Sequence, residues 1–282
     1  MADGKARNGR RAALGLALAA AVWLFGVWPP PLWWRDHWPR QTAMMRWTAR
    51  HVGGAAGARY HPTQLAQLSS HLQRTVVLAE DWRFREHPGI DFAEIRLVVG
   101  VPQDAGAWQT LRAAWHQRAR IRGASTITQQ LAKNLYLSPS RSPVRKLKEA
   151  VTALWLDFAL SKDRILEIYL NVVEWGPGLW GAEQASRAYF EVAPAELDLW
   201  QAASLAATLP HPRTSNPAYR PGRMAARREL ILALYHGADV VIPPSELPEE
   251  PDFGLDTPPL MPPTLDSLLA DTIVIRGTGE PR

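Results

Sequence analysis

The chain has 282 residues, enough for one large hydrophobic core or two small ones. It contains no cysteine, which excludes disulfide frameworks, thiolate metal sites and cysteine nucleophiles. The formal net charge of +5 is unevenly spread, because residues 236–282 carry about −7 and the remainder about +12. A basic body suits nucleic acid, anionic lipid headgroups or a polyanionic substrate such as a pyrophosphate, and charge alone does not choose among them.

The first predicted element is an apolar segment near the N-terminus. Four basic residues precede an uncharged stretch, 12–34, whose first part, 12–28, has no proline. That part is at the lower length limit for a helix that spans a bilayer, and the tryptophans after it suit an interfacial aromatic belt. We therefore expect residues 1–34 to be a cytoplasmic basic stub and a transmembrane anchor. The alternative is a cleaved signal peptide, and both would export the remainder.

Composition divides the rest of the chain into three parts. The composition of residues 35–60 indicates a juxtamembrane connector with a glycine-rich end. Residues 61–235 carry apolar side chains mostly at helical spacing and form the predicted catalytic domain. Residues 236–282 are rich in proline and acid, which predicts a tail that buries little.

The helices of the central part follow from periodicity and capping signals. No strand-like alternation is apparent, so a mainly α fold is predicted. The expected helices are one from about 65 to Glu80, one that opens with a Thr126–Gln129 capping box and stops near 138, one on the apolar stripe Val144, Leu147, Val151, Leu154 and Phe158, and two at about 162–173 and 194–209.

A first group of ionisable residues stands at the end of an apolar helix. A Glu80 carboxylate that is partly desolvated by Trp82 and Phe84 would have a raised pKa and could act as a general base. The alternative is a solvated helix end with ordinary ion pairs, such as Asp81 with Arg85.

A second group, 123–134, places hydroxyl groups and backbone amides at a helix N-terminus, where an anion is favoured. Gln129 with Lys133, and Gln130 with Asn134, stand one turn apart, so one helical face presents amides and an ammonium group. Such a surface suits sugar hydroxyls beside a phosphate. An ordinary capped helix with a polar face would have the same sequence.

A third group surrounds one carboxylate with cations. Arg145 and Glu149 are four residues apart and could form an ordinary ion pair on a helix surface. The group could instead hold a pyrophosphate, with a divalent ion bridging to the acid. Its members are Arg141, Arg145, Lys146, Lys148 and Glu149.

Over about 70–217, the residues of these groups and their order along the chain resemble the peptidoglycan glycosyltransferases of the lysozyme-like superfamily. The resemblance is greatest to the monofunctional biosynthetic transglycosylases. The chain departs from the family in a longer segment 92–121 and in Glu191-Val192, where a glycine and a lysine are common. The matching signatures are Glu80-Asp81-x-x-Phe84-x-x-His87-x-Gly89-x-Asp91, residues 122–130 with Lys133-Asn134, Arg145-Lys146-x-x-Glu149, residues 165–171, and residues 171–176 with Gly181 and Tyr189-Phe190.

The resemblance implies a lysozyme-like domain with a large lobe and a smaller membrane-facing lobe, preceded by one transmembrane helix. It implies polymerisation of lipid II into β-1,4 glycan strands of peptidoglycan, with inversion at the anomeric carbon and release of undecaprenyl pyrophosphate. We therefore expect a single-pass protein of the bacterial inner membrane with a periplasmic, moenomycin-sensitive catalytic domain. The expected partners are lipid II, the growing strand, membrane lipids and other cell-wall synthesis proteins, and not nucleic acid.

By match to the signatures, the two expected catalytic residues are Glu80 and Glu149. Glu80 would be the general base on the acceptor hydroxyl. Glu149 would position the donor pyrophosphate through a divalent cation such as Mg²⁺ or Mn²⁺. Two alternatives stay open, namely a lysozyme-like peptidoglycan hydrolase, which would also use paired carboxylates, and a non-catalytic cell-wall scaffold.

The remaining expected site residues bind substrate. Lys133, Arg141 and Arg145 would neutralise the charge that develops on the pyrophosphate. The residues expected to contact sugar or phosphate groups are Ser125, Gln130 and Asn134.

Overall fold

The computed structural model describes residues 14–15, 18–52, 60–117, 125–140 and 142–239. These residues are mainly helical, which confirms the prediction of a mainly α fold. No helix in those ranges combines the length and the apolarity needed to cross a bilayer. The predicted tail beyond 239 lies outside the described residues.

The elements follow one another in a nearly all-helical order. Short 3₁₀ helices cover Pro31–Arg35 and Leu65–Gln67. The α-helices are α1 (Ala43–His51), α2 (Ser70–Glu80), α3 (Phe92–Val99), α4 (Ala107–His116), α5 (Ile127–Tyr136), α6 (Pro143–Ala159), α7 (Lys162–Val172), α8 (Ala182–Phe190), α9 (Leu199–Thr208) and α10 (Gly222–Tyr235). Two strands, β1 (Glu174–Gly176) and β2 (Leu179–Trp180), pair antiparallel between α7 and α8.

The chain divides into two compact units, and the first contains residues up to 53 together with 80–172. Helix α5 is its centre and packs against α1, α6 and α7. Ile127, Leu131 and Leu135 recur every fourth residue along α5 and are buried, so the helix has one continuous apolar face.

The predicted capping box fixes where α5 begins. The Thr126 hydroxyl accepts a hydrogen bond from the Gln129 amide at 3.1 Å, and the Thr126 amide donates to Gln129 Oε1 at 3.1 Å. Both groups are buried, so this cap satisfies donors that would otherwise cost about 1 kcal/mol. The prediction of this helix start is confirmed.

The second unit contains residues 54–79 and those from 173 onward. Helices α9 and α10 pack together, and the β1–β2 hairpin lies against α8. Trp175 and Trp180 of the hairpin are fully buried, and the Arg213 guanidinium donates to both Glu174 oxygens at 2.9 and 3.0 Å. The sequence shows no strand-like alternation here, because strands of three and two residues are too short to produce it.

Two predicted helix starts are also wrong. The helix expected from about 65 is interrupted at Leu68, whose extended backbone separates a 3₁₀ turn from the start of α2. The helix expected from 194 begins at Leu199, because Asp198 forms a capping box with Gln201. Local side-chain bonds decide both boundaries, whereas apolar periodicity alone places them too early.

The apolar stripe that predicts α6 lies on the exposed face of that helix. Val144, Leu147 and Leu154 are exposed, and Phe158 is 92% exposed. The packed face consists of Glu149, Thr152, Ala153, Leu156 and Ala159. Helix α6 therefore packs one face, which includes the small residues Ala153 and Ala159, into the interior. Its second, larger apolar face is exposed.

Candidate active site

Glu80 is the last residue of α2, and its carboxylate is held by an amide. Gln130 of α5 donates from Nε2 to Glu80 Oε2 at 2.8 Å. The other end of that amide, Oε1, accepts from the Tyr169 hydroxyl of α7 at 2.8 Å. Because a carboxylate accepts and this hydroxyl donates, the two contacts allow one orientation of the amide. Glu80, Gln130 and Tyr169 thus form a directed hydrogen-bond chain.

Tyr169 can only serve as the donor end of this chain if it keeps its proton. The side chain is fully buried, and burial raises the pKa of Tyr169 well above its ordinary value. The nearby charges of Glu80 and Asp81 raise it further. The phenol is therefore neutral at physiological pH and donates to Gln130.

Asp81 ties the end of α2 to the start of α5. Its Oδ2 accepts from the Ile127 amide at 3.0 Å, and its Oδ1 contacts His87 Nε2 at 2.9 Å. The anion at the N-terminus of α5 is thus this carboxylate, where a helix dipole favours negative charge. The alternative pairing of Asp81 with Arg85 is wrong, because Arg85 pairs with Asp163 at 2.7 Å.

The two aromatic residues expected to shield Glu80 behave differently. Phe84 is fully buried in the first unit. Trp82 is 65% exposed, with its ring 5.7 Å from the Arg83 guanidinium carbon. Of the two residues, only Phe84 therefore belongs to the apolar interior.

Glu149 is clamped between two cations. Arg145 donates from a terminal nitrogen to Oε2 at 2.6 Å, and the Lys146 ammonium pairs with Oε1. The carboxylate is only 2% exposed, so the alternative of an ordinary surface ion pair is wrong. Lys146 also donates to the Ser125 hydroxyl at 2.8 Å, which connects this cluster to the start of α5.

Lys133 lies on α5 in the electrostatic field of both carboxylates. Burial lowers the pKa of the Lys133 ammonium, and the neighbouring cations Lys146 and Arg145 lower it further. Glu149, and more weakly Glu80, raise that pKa and so partly offset the burial. A desolvated ammonium in such surroundings is favourable for a multiply charged anion.

The first unit thus contains all the predicted site residues that the structure describes. Arg141 lies outside the described residues. Asn134 is buried and donates to the Gln130 carbonyl at 2.9 Å, one turn back along its own helix. The predicted residues that the unit contains are Glu80, Ser125, Gln130, Lys133, Asn134, Arg145 and Glu149.

Three further residues take part in this arrangement, and of these only Lys146 has a role predicted from the sequence, as one of the cations that could hold a pyrophosphate. Asp81, Lys146 and Tyr169 each stand in one of the matched signatures. Their contacts reach 46, 21 and 39 residues along the chain. The signatures mark these positions, but only the fold shows what each side chain touches.

The donor set at Glu149 does not fit a divalent cation held by the protein. Both carboxylate oxygens are in ion pairs with Arg145 and Lys146, and Lys133 adds a third positive charge nearby. Hard divalent cations are usually bound by several oxygen ligands. Within the ranges that the structure describes, no three histidine or carboxylate side chains gather closely enough to hold a metal.

Comparisons with known proteins bear on the same region. The transglycosylase family profile matches residues 49–236. The biosynthetic peptidoglycan transglycosylase of Thiobacillus denitrificans is 40% identical over 239 residues, which cover 83% of this chain and 95% of that protein. The protein of the same description from Azoarcus sp. is 40% identical over 236 residues, covering 81% and 94%.

A third relative gives the same result. The biosynthetic peptidoglycan transglycosylase of Bordetella pertussis is 41% identical over 206 residues, covering 72% of this chain and 80% of that protein. The family profile spans every site residue named above. The family predicted from the signatures is thereby confirmed, and the chain belongs to the transglycosylase family.

Proposed function

We propose that the protein polymerises lipid II into β-1,4 glycan strands of peptidoglycan. The observation that carries this proposal is the contrast between its two carboxylates within one compact unit. Glu80 is oriented by a neutral amide, as suits a group that must take up a proton. Glu149 organises cations, as suits the neighbourhood of a pyrophosphate leaving group.

In the proposed step, Glu80 accepts the proton of the acceptor sugar's 4-hydroxyl. That oxygen forms the new bond to the anomeric carbon at the reducing end of the growing strand. The bond from this carbon to the phosphate oxygen breaks, and its electron pair leaves with undecaprenyl pyrophosphate. Attack from the face opposite the leaving group inverts the anomeric carbon and gives the β-1,4 bond.

The charge on the leaving pyrophosphate is the second requirement of the reaction. We assign its neutralisation to Lys133, Arg141 and Arg145. Glu149 holds Arg145 and Lys146 in place before the substrate arrives, which lowers the cost of ordering them during the reaction. Glu149 is accordingly proposed as a positioning carboxylate.

The smaller contacts follow from the same geometry. Ser125 is held by Lys146 at 2.8 Å and stays the proposed contact for a phosphate or sugar oxygen. Gln130 uses both ends of its amide within the protein, so its proposed role moves from binding sugar to orienting Glu80. Asn134 stays a proposed sugar contact through its amide oxygen. Assistance of the reaction by Mg²⁺ or Mn²⁺ stays a prediction. It is tested by measuring lipid II turnover with and without a chelator.

We further propose that the protein works at the outer face of the bacterial inner membrane. Exposed apolar side chains on α6, including Leu147, Trp155 and Phe158, support a smaller membrane-facing lobe of a lysozyme-like domain. The apolar stretch within 1–34 is the proposed single-pass anchor, residues 35–60 its connector and 236–282 a tail beyond the catalytic domain. N-terminal sequencing of the mature protein tests the anchor, since a start after about residue 19 would mean cleavage.

The test of the reaction uses the purified full chain and labelled lipid II. We expect a glycan polymer whose formation is blocked by moenomycin. Release of soluble muropeptides from preformed cell wall, without polymer, would contradict the proposal and favour a hydrolase. No turnover of either substrate by the folded protein would favour a scaffold.

A further inference from the structure

A cationic cavity of about 270 Å³ lies between α1 and the C-terminal end of α5. Arg46, Arg50 and His51 line one side of it, and Tyr136 and Ser138 line the other. None of the described side chains that line it is acidic. The surrounding sequence has the same bias, since residues 37–79 contain arginine and histidine but neither aspartate nor glutamate.

The cationic side chains of α1 are arranged to receive an anion. Arg46 and Arg50 are one turn apart, and the Arg46 guanidinium donates from Nη1 to the Gln41 carbonyl at 2.9 Å. The His51 ring stacks on Trp47 with centroids 4.5 Å apart, and its Nδ1 donates to the Trp47 carbonyl at 2.8 Å. Because a carbonyl can only accept a hydrogen bond, the Nδ1 atom of His51 is the donor in this contact. The contact and the stacking together hold the ring in one orientation.

The cavity adjoins the segment around Pro29 and Trp34, which in our proposal follows directly after the membrane anchor. The Tyr136 hydroxyl donates to the Pro29 carbonyl at 2.8 Å and accepts from Trp34 Nε1 at 2.5 Å. The segment held in this way exposes Trp28, Leu32 and Trp33, with Trp28 86% exposed. Positive charge beside exposed tryptophan and leucine is the arrangement expected at a lipid headgroup layer.

We propose that this cavity binds the phosphate of an anionic phospholipid of the phosphatidylglycerol class. The guanidinium groups of Arg46 and Arg50 would each offer a planar fork of donors to the phosphate oxygens. The exposed side chains of the adjoining segment would lie along the acyl region. The proposal rests on the membrane placement given under Proposed function, but its ligand site is separate from the carboxylates of the reaction.

The test counts lipids bound to the full chain in a neutral maltoside detergent by native mass spectrometry. Phosphatidylglycerol is titrated in parallel with phosphatidylcholine, and inorganic phosphate is tested as a competitor. We expect Arg50→Gln to weaken phosphatidylglycerol binding about fivefold and Arg46→Gln with Arg50→Gln on the order of 25-fold. The matched control is Arg40→Gln, an exposed arginine of the same connector outside the cavity lining, which should change binding less than about twofold.

Three other results of this experiment would each overturn the proposal. Equal binding of phosphatidylglycerol by the parent and the double variant would mean that the cavity is not the site. Complete displacement of phosphatidylglycerol by inorganic phosphate at the same concentration would mean that the cavity is a general anion site. Displacement by undecaprenyl pyrophosphate would assign it to the substrate. No turnover is measured, so failure here leaves the proposed reaction untouched, and melting temperatures of the variants verify that they fold.

Discussion

Glu80 and Glu149 are two glutamates of one compact unit, and their neighbours differ in kind. Glu80 accepts a hydrogen bond from the uncharged Gln130 amide, which is itself held by a neutral phenol. Glu149 is buried between Arg145 and Lys146. Surroundings that separate two carboxylates in this way also separate their chemistry.

The difference bears on which carboxylate takes up the proton in the proposed reaction. Both oxygens of Glu149 already pair with Arg145 and Lys146, so this carboxylate is engaged by the protein's own cations. An amide donor orients Glu80 and adds no full charge. We therefore propose that Glu80 takes up the proton and that Glu149 organises the cations.

The largest expected effect comes from Glu80→Gln. Glutamine keeps the shape and can still accept from Gln130, but it cannot take up the proton. We expect turnover of lipid II to fall by about 10²–10⁴-fold, with little change in melting temperature. The measurement is continuous lipid II consumption at fixed detergent and salt. Near-normal turnover would reject Glu80 as the base.

Glu149→Ala should lower stability in addition to weakening the binding of lipid II. Removal of the carboxylate leaves the mostly buried Arg145 and the partly exposed Lys146 without this partner, so we expect a loss of about 2 kcal/mol in the free energy of unfolding. Glu183→Ala is the matched control, because Glu183 and Arg187 form an exposed pair at the same spacing, worth less than about 1 kcal/mol. Chemical denaturation of both variants measures the difference, and equal losses would show that the Glu149 pairs contribute no more than a surface pair.

Tyr169→Phe tests the chain that orients Glu80. The variant removes the hydroxyl that fixes the Gln130 amide, and we expect turnover to fall about tenfold, which corresponds to one hydrogen bond. Tyr189→Phe is the control, because that hydroxyl is also protein-bonded, to the Trp175 carbonyl at 2.9 Å, but lies in the second unit. Both should lose similar stability. If turnover falls equally in both, the Tyr169 effect is structural and not one of orientation.

The smallest expected effect concerns Glu191, outside both carboxylate clusters. Its backbone has φ of 59°, a left-handed conformation at the C-terminus of α8 that strains any residue with a Cβ. Glu191→Gly should therefore raise the free energy of unfolding by about 1 kcal/mol with unchanged turnover. Glu191→Ala keeps the Cβ and should give no gain. A gain from alanine equal to that from glycine would assign the effect to the glutamate side chain.

The sequence predicts those parts of the site that rest on local bonds. The Thr126–Gln129 capping box uses residues three apart, and it is visible in the sequence and confirmed in the structure. The Gln130–Glu80 contact joins residues 50 apart, so periodicity cannot reveal it. Family signatures mark both residues, but the assignment of Gln130 to sugar binding missed that its amide faces the protein.

Helix α6 shows a second limit of sequence interpretation. Its longest apolar side chains, such as Leu147 and Phe158, recur at helical spacing and predict the helix correctly. The face that packs uses Ala153 and Ala159, since close approach of another helix requires small residues. Periodicity gives the helix but not the side that faces the interior. The departure at Glu191, where the family commonly has glycine, is likewise explained by the positive φ of that residue and not by any sequence pattern.

The most direct test of the account is the affinity of two isosteric variants for lipid II, measured side by side at equilibrium. Glu80→Gln should bind within about threefold of the parent, because the base acts on a proton and not on the pyrophosphate. Glu149→Gln should bind about tenfold or more weakly, because Arg145 and Lys146 lose the charge that holds them. The opposite order, or equal losses of affinity in both variants, would contradict the division of labour between the two carboxylates.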